Sequence, residues 1–155
     1  MPFESRIFVK AGIVYLLLTF AAGAAMLVAQ SFGAAVPFIV EVEHGHLGFV
    51  GWLVNVVMGV ALWMFPLDRK SYPETQGRYP LVAPLWCFYL LNCGLVVRVV
   101  VEPWLQLSDP VGAARLAGST LLAVSGIAEL AAVIIFVAIV WRRTRGPDRP
   151  TPGVR

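Results

Sequence analysis

Glu41-Val-Glu-His-Gly-His-Leu-Gly-Phe-Val-Gly-Trp-Leu-Val-Asn-Val-Val-Met-Gly-Val-Ala-Leu-Trp-Met-Phe-Pro66 is the stretch that decides the fold. Its 20 residues from His46 to Phe65 contain no Asp, Glu, Lys or Arg. A bilayer core of about 30 Å needs about 20 predominantly apolar residues in a helix. A barrel strand would alternate apolar and polar residues with a period of two, whereas this run is apolar all round. Three further runs of similar character lie at 7–30, 80–101 and 114–141. The expectation is an all-α integral membrane protein. Residues 1–141 make one four-helix bundle with spans at 7–30, 46–65, 80–101 and 114–141, and residues 142–155 form a basic, disordered tail.

Composition points the same way. Of 155 residues, 59% are hydrophobic and 14% charged, with a mean hydropathy of +0.78. Soluble domains run at about 45–50% apolar and about 25% charged. The first run has a longer apolar core than the about 7–15 residues of a signal peptide, so it reads as a retained span. Its small residues Ala21, Ala22, Gly23, Ala24 and Ala25 permit close approach of another helix. The net charge of +3 comes mainly from the tail and one loop, which gives no reason to expect a nucleic-acid partner. Cys87 and Cys93 lie six residues apart in one span, point in different directions, and read as packing residues.

Orientation follows from the Lys and Arg counts of short loops. The N-terminus, the loop at 67–79 and the tail hold 2, 3 and 5 basic residues, against 0 and 1 in the other two loops. This predicts a bacterial inner-membrane protein with both termini cytoplasmic and both histidines near the outer face. Trp104 and Trp141 fall where interfacial aromatics are expected.

Polar groups inside spans are costly and therefore informative. Asn55, Asn92 and Glu129 fall near mid-membrane and are candidates for one interior hydrogen-bond cluster, or for a proton path through Glu129. Arg98 lies about one turn from the outer end of its span, where it snorkels to headgroups or holds an anionic group between helices. His44 and His46 are about 200° apart around a helix, so they serve different faces. His44 shares its face with Gly48, Gly51, Asn55 and Gly59, a small and polar stripe suited to a packed helix or a flat ligand. His46 shares its face with Phe49, Val50, Leu53, Val57 and Val60, which suits lipid or a subunit contact. Glu41, Glu43, His44 and His46 together are candidate ligands for Zn²⁺ or Cu²⁺ at the outer face.

His44-Gly-His-Leu-Gly-Phe-Val-Gly-Trp52, followed by Met58-Gly59 and Met64-Phe-Pro66, resembles the second helix of subunit I of the haem-copper oxidase superfamily. It is most similar to the nitric oxide reductase and C-type oxidase branches. Trp86 to Arg98 resembles, more faintly, another helix of that superfamily. The resemblance implies an axial haem ligand at His44 or, with a one-residue shift before Trp52, at His46. It further implies haem b held non-covalently, since no CxxCH occurs. Gly48, Gly51, Asn55 and Gly59 would then face the macrocycle, with Arg98 for its propionates. The chain departs from the family in having about four spans and no third histidine, so the copper site, the high-spin haem ligand and the second axial ligand are missing.

The resulting expectation is a membrane haem b protein acting in electron transfer, gas (NO or O₂) binding or haem handling. It carries no independent catalytic activity, because no nucleophile–base pair, phosphate loop or two-metal carboxylate set is present. Expected partners are the lipid bilayer, further copies of the chain as a dimer or trimer, and a respiratory complex. The alternatives are a non-catalytic accessory or assembly subunit of such a complex, and the outer-face Zn/Cu protein.

Overall fold

The computed structural model of the chain describes residues 1–65, 73, 74, 77 and 80–144. Helix α1 is Phe3–Ser31. The second span begins as α2 (Phe38–His46), widens into a π-helical segment (Leu47–Val54) and ends as α3 (Asn55–Met64). Helix α4 is Val82–Ser108 and α5 is Gly112–Arg143. Among the described residues there is no strand. Four helical stretches, of 29, 27, 27 and 30 residues, are long and apolar enough to cross a membrane. The chain is therefore an all-α, multi-pass membrane bundle.

The number of spans is as expected, but their ends are not. The second span starts at Phe38 rather than residue 46, and the third runs on to Ser108 past residue 101. Charge was the misleading signal, because Glu41, Glu43 and Glu102 looked like loop. Pro37, extended at φ −61° and ψ 136°, launches α2. A proline there forfeits only a donor that has no helical partner. Helix α4 continues through Pro103, although an interior proline removes one ladder bond. It stops at Asp109, whose left-handed backbone (φ 40°) ends the helix before Gly112 at φ 60° starts the next. The side chain of Asp109 accepts a hydrogen bond from Arg115 at 2.7 Å on the exposed turn. Of the predicted tail, residues 142 and 143 belong to α5, and residues 145–155 lie outside the described residues, as does most of the loop at 67–79.

Packing divides the bundle into two pairs, α1 against the second span and α4 against α5. The glycines of the second span make the first pair close. A Cβ at Gly51 would lie 2.7 Å from the Tyr15 ring, and one at Gly59 would lie 3.0 Å from the Ser5 carbonyl. Gly12 of α1 answers from the other side, 2.6 Å from a Val56 methyl by the same measure. In the small-residue run at 21–25, Gly23 makes such a contact, with the His44 ring, while Ala21, Ala24 and Ala25 are exposed. In lipid no hydrophobic force drives helices together, so close backbone approach and van der Waals contact carry the association. Phe8, Met58, Leu62, Cys87, Leu91, Ala132 and Ile139 form the shared core. The Phe8 and Phe88 rings meet edge to face at 5.2 Å. Leu17 and Phe20, each 71% exposed, mark the outward, lipid-compatible surface.

Candidate functional site

Helix α2 sends its two histidines to opposite neighbours, as their angular separation requires. His44 turns toward α1, where its imidazole lies over Gly23, with Cε1 3.1 Å from the position a Cβ would occupy. Beside it an open groove of ≈ 390 Å³ is lined by Thr19, Phe20, Gly23, Ala24, Leu27 and His44. The Nδ1 atom of His44 is buried without a hydrogen-bond partner. His46 turns toward α4. Its Nδ1 lies 3.1 Å from the Val42 carbonyl and 3.7 Å from Glu43 Oε2.

The glycine stripe beside His44 is taken up by α1. Gly48 faces Thr19, Gly51 faces Tyr15, and Gly59 faces Ser5, Phe8 and Val9. Of the two occupants the stripe allows, a helix fills it. Asn55, fully buried, donates through Nδ2 to the carbonyls of Gly51 (2.9 Å) and Val50 (3.2 Å), inside the π-helical segment. Its Oδ1 accepts from Asn92 Nδ2 at 3.0 Å, joining the second span to α4. Buried polar groups in lipid must be paired internally, and the pair does this for the Asn55 amide and for Asn92 Nδ2, while Asn92 Oδ1 stays buried without a partner. Inside the π turn one residue departs from the simple 100° rotation. Phe49, Leu53 and Val57 are exposed as expected, but Val50 packs on the core.

Glu129 does not join the Asn55–Asn92 pair. It belongs with Arg98, whose NH1 is 3.8 Å from Glu129 Oε2 and whose Nε is 3.2 Å from Glu102 Oε2. Glu43, 4% exposed, faces this group from α2, close to Glu102. Arg98 is thus occupied by carboxylates of its own chain instead of pointing into the His44 groove. Glu43 and Glu102 were overlooked as intramembrane groups because both sit at the ends of apolar runs. The Arg98–Glu102 spacing of four residues, which pairs opposite charges along a helix, was the available signal.

The proposed quartet of outer-face metal ligands is not brought together. Glu41 and His44 leave α2 on different sides from Glu43 and His46, in keeping with 100° per residue. Among the described residues no group of three or more His, Cys, Asp and Glu side chains is arranged to hold a metal ion. Cys87 is buried and Cys93 exposed, both as free thiols.

The class of protein that fold and site define is a multi-pass helical membrane bundle with an imidazole-bearing groove and a charged cluster within its spans. Comparison with known proteins adds no relative: no family model, no curated protein and no solved structure matches the chain.

Proposed function

We propose that the chain binds haem b non-covalently at His44, as a small relative of subunit I of the haem-copper oxidase superfamily, and serves electron transfer, gas binding or haem handling. The observation that carries this reading is the open groove that His44 helps to line; the Nδ1 of its ring is buried and makes no hydrogen bond within the chain. The groove supplies what an apolar macrocycle needs from this chain: one imidazole, a small-residue floor at Gly23 and Ala24, and walls at Thr19, Phe20 and Leu27. A haem volume exceeding the groove would continue into lipid or against another copy, which accords with a dimer or trimer. Bound there, the group would supply a redox-active iron. His44 lies less than two turns inside the start of α2, so acidic groups of a ligand reach the headgroup region without Arg98.

His46 is the weaker candidate because its Nδ1 is tied to Val42 and its ring faces the charged cluster. A second reading is a non-catalytic accessory subunit of a respiratory complex. The observation favouring it is the occupation of the Gly48, Gly51 and Gly59 stripe by α1. The excess of Lys and Arg in the N-terminus, the 67–79 loop and the tail supports a bacterial inner-membrane location with cytoplasmic termini. The test is haem content: protein produced with ample haem and purified in mild detergent carries about one b-type haem per chain by pyridine haemochrome assay if the first reading holds. Colourless protein, recovered with a larger complex, overturns it in favour of the second.

A further inference from the structure

Glu43 and Glu102 are used neither by the haem reading nor by the packing of the core. The bundle consists of two helix pairs, and hydrogen bonds cross between them at different depths. Near the end of α5, Arg143 NH1 donates to the Leu62 carbonyl of α3 at 3.4 Å. Further along, Asn92 of α4 donates to Asn55 at 3.0 Å. At the α2 end the crossing contact joins two carboxyls, Glu43 of α2 and Glu102 of α4, hydrogen-bonded to each other. Their depths match. At 1.5 Å per residue, Glu43 is about 8 Å from the start of α2 and Glu102 about 9 Å from the end of α4.

Two ionised carboxylates cannot form that bond, because both only accept; a carboxylic acid donates through its O–H. Both oxygens of Glu43 and Oε2 of Glu102 are buried, and none accepts a hydrogen bond from another group of the chain. His46 Nδ1 stands 3.7 Å from Glu43 Oε2 and turns to the Val42 carbonyl instead. Arg98 lies 3.2 Å from Glu102 Oε2 and 3.8 Å from Glu129 Oε2 of α5. The other segments packed on α2 add no titratable side chain here, since neither residues 16–31 of α1 nor the π-helical Leu47–Val54 contains one. Charge leads to the same place. Three carboxyls face one guanidinium, so neutrality takes two protons, or one if His46 is an imidazolium, and a net charge held out of water is costly. On either count the Glu43–Glu102 contact holds one.

We propose that Glu43 and Glu102 share one proton, and that this proton is a pH-sensitive latch closing the α1–second-span pair onto the α4–α5 pair. Its loss leaves two negative charges in contact away from water, where repulsion is stronger than in bulk solvent. The α2 end then parts, while the Asn55–Asn92 and Arg143–Leu62 contacts hold the bundle further along. A proton held in the closed bundle and released on opening makes stability fall as pH rises. The latch is independent of whether His44 holds haem.

Two measurements on the full chain in lipid nanodiscs test it. The shared proton gives an infrared C=O stretch of a protonated carboxyl at neutral pH, shifted in D₂O and lost in both Glu43→Gln and Glu102→Gln. The latch itself is read from the unfolding temperature, which falls from neutral to alkaline pH in the wild type. In Glu43→Gln that fall is lost, because the new amide donates to Glu102 without a titrating proton. Absence of the carboxyl band from wild-type protein overturns the proposal with no need of a variant. A band that survives Glu43→Gln and Glu102→Gln and is lost in Glu129→Gln places the proton elsewhere and overturns it too. So does a pH profile of stability that is the same in wild type and Glu43→Gln.

Discussion

Gly59→Ala tests the close approach of α1 to α3. The added methyl carbon would stand 2.9 Å from both Phe8 Cβ and Val9 Cγ2 and 3.0 Å from the Ser5 carbonyl, where ordinary contact starts at 3.4 Å. Two of those atoms belong to or adjoin the α1 backbone, so rotamer changes do not relieve the clash and α1 must retreat by about half an ångström. A gap of that size forfeits about a quarter of each neighbouring van der Waals well, and overpacking costs about 1–3 kcal/mol in well-packed cores. The gain from replacing a helical glycine is about 0.5–1 kcal/mol, and less here, because unfolded spans in a membrane keep their helices. The expected net loss is about 1–2 kcal/mol. Gly126→Ala is the matched control, since nothing lies within 4 Å of a Cβ at that position. It should be neutral or slightly stabilising. Unfolding in mixed micelles of mild detergent and SDS, followed by far-UV circular dichroism or tryptophan fluorescence, measures both. Equal stabilities for the two variants would refute the packing of α1 against α3.

Other outcomes follow from the same geometry. A double-mutant cycle of Asn55→Leu and Asn92→Leu should show a coupling of about 0.6 kcal/mol and no more than about 1.7 kcal/mol, the range for interhelical hydrogen bonds in lipid; zero coupling would separate the two amides. Arg98→Met should destabilise the bundle by about 3 kcal/mol, the lower end for breaking a buried ion pair, because the guanidinium keeps some exposure. Adding Glu102→Gln and Glu129→Gln should recover much of that loss, and failure to recover would mean that Arg98 acts through packing alone. A reporter fused after Thr144 should register on the cytoplasmic side, and activity on the outer side would reverse the orientation.

The four spans were legible because twenty-residue apolar windows survive any detail of packing. Their ends were not, because Glu43 and Glu102 carry charges that a window counts as loop. In the folded chain both groups face other helices, and that pairing depends on contacts between residues far apart in sequence. The divergence of His44 and His46 was readable from helical geometry. The occupant of the glycine stripe was not, since Gly48, Gly51 and Gly59 suit a helix and a flat ligand equally, and only the path of α1 decides between them. Asn55 and Asn92 were recognisable as intramembrane amides, and their mutual hydrogen bond was foreseen. The placement of Glu129 with that pair was not met, because depth in the membrane says nothing about which way α5 is rotated. The π-helical segment left no plain mark in the sequence, and Val50, which lies inside it, turns onto the core instead of outward.

The claim that His44 is the iron ligand is tested most directly by the absorption spectrum of two variants. If His44 holds the haem, His44→Ala loses the Soret band of the purified protein, while His46→Ala keeps it at comparable intensity. A band that persists in His44→Ala, or that vanishes only in His46→Ala, contradicts the assignment.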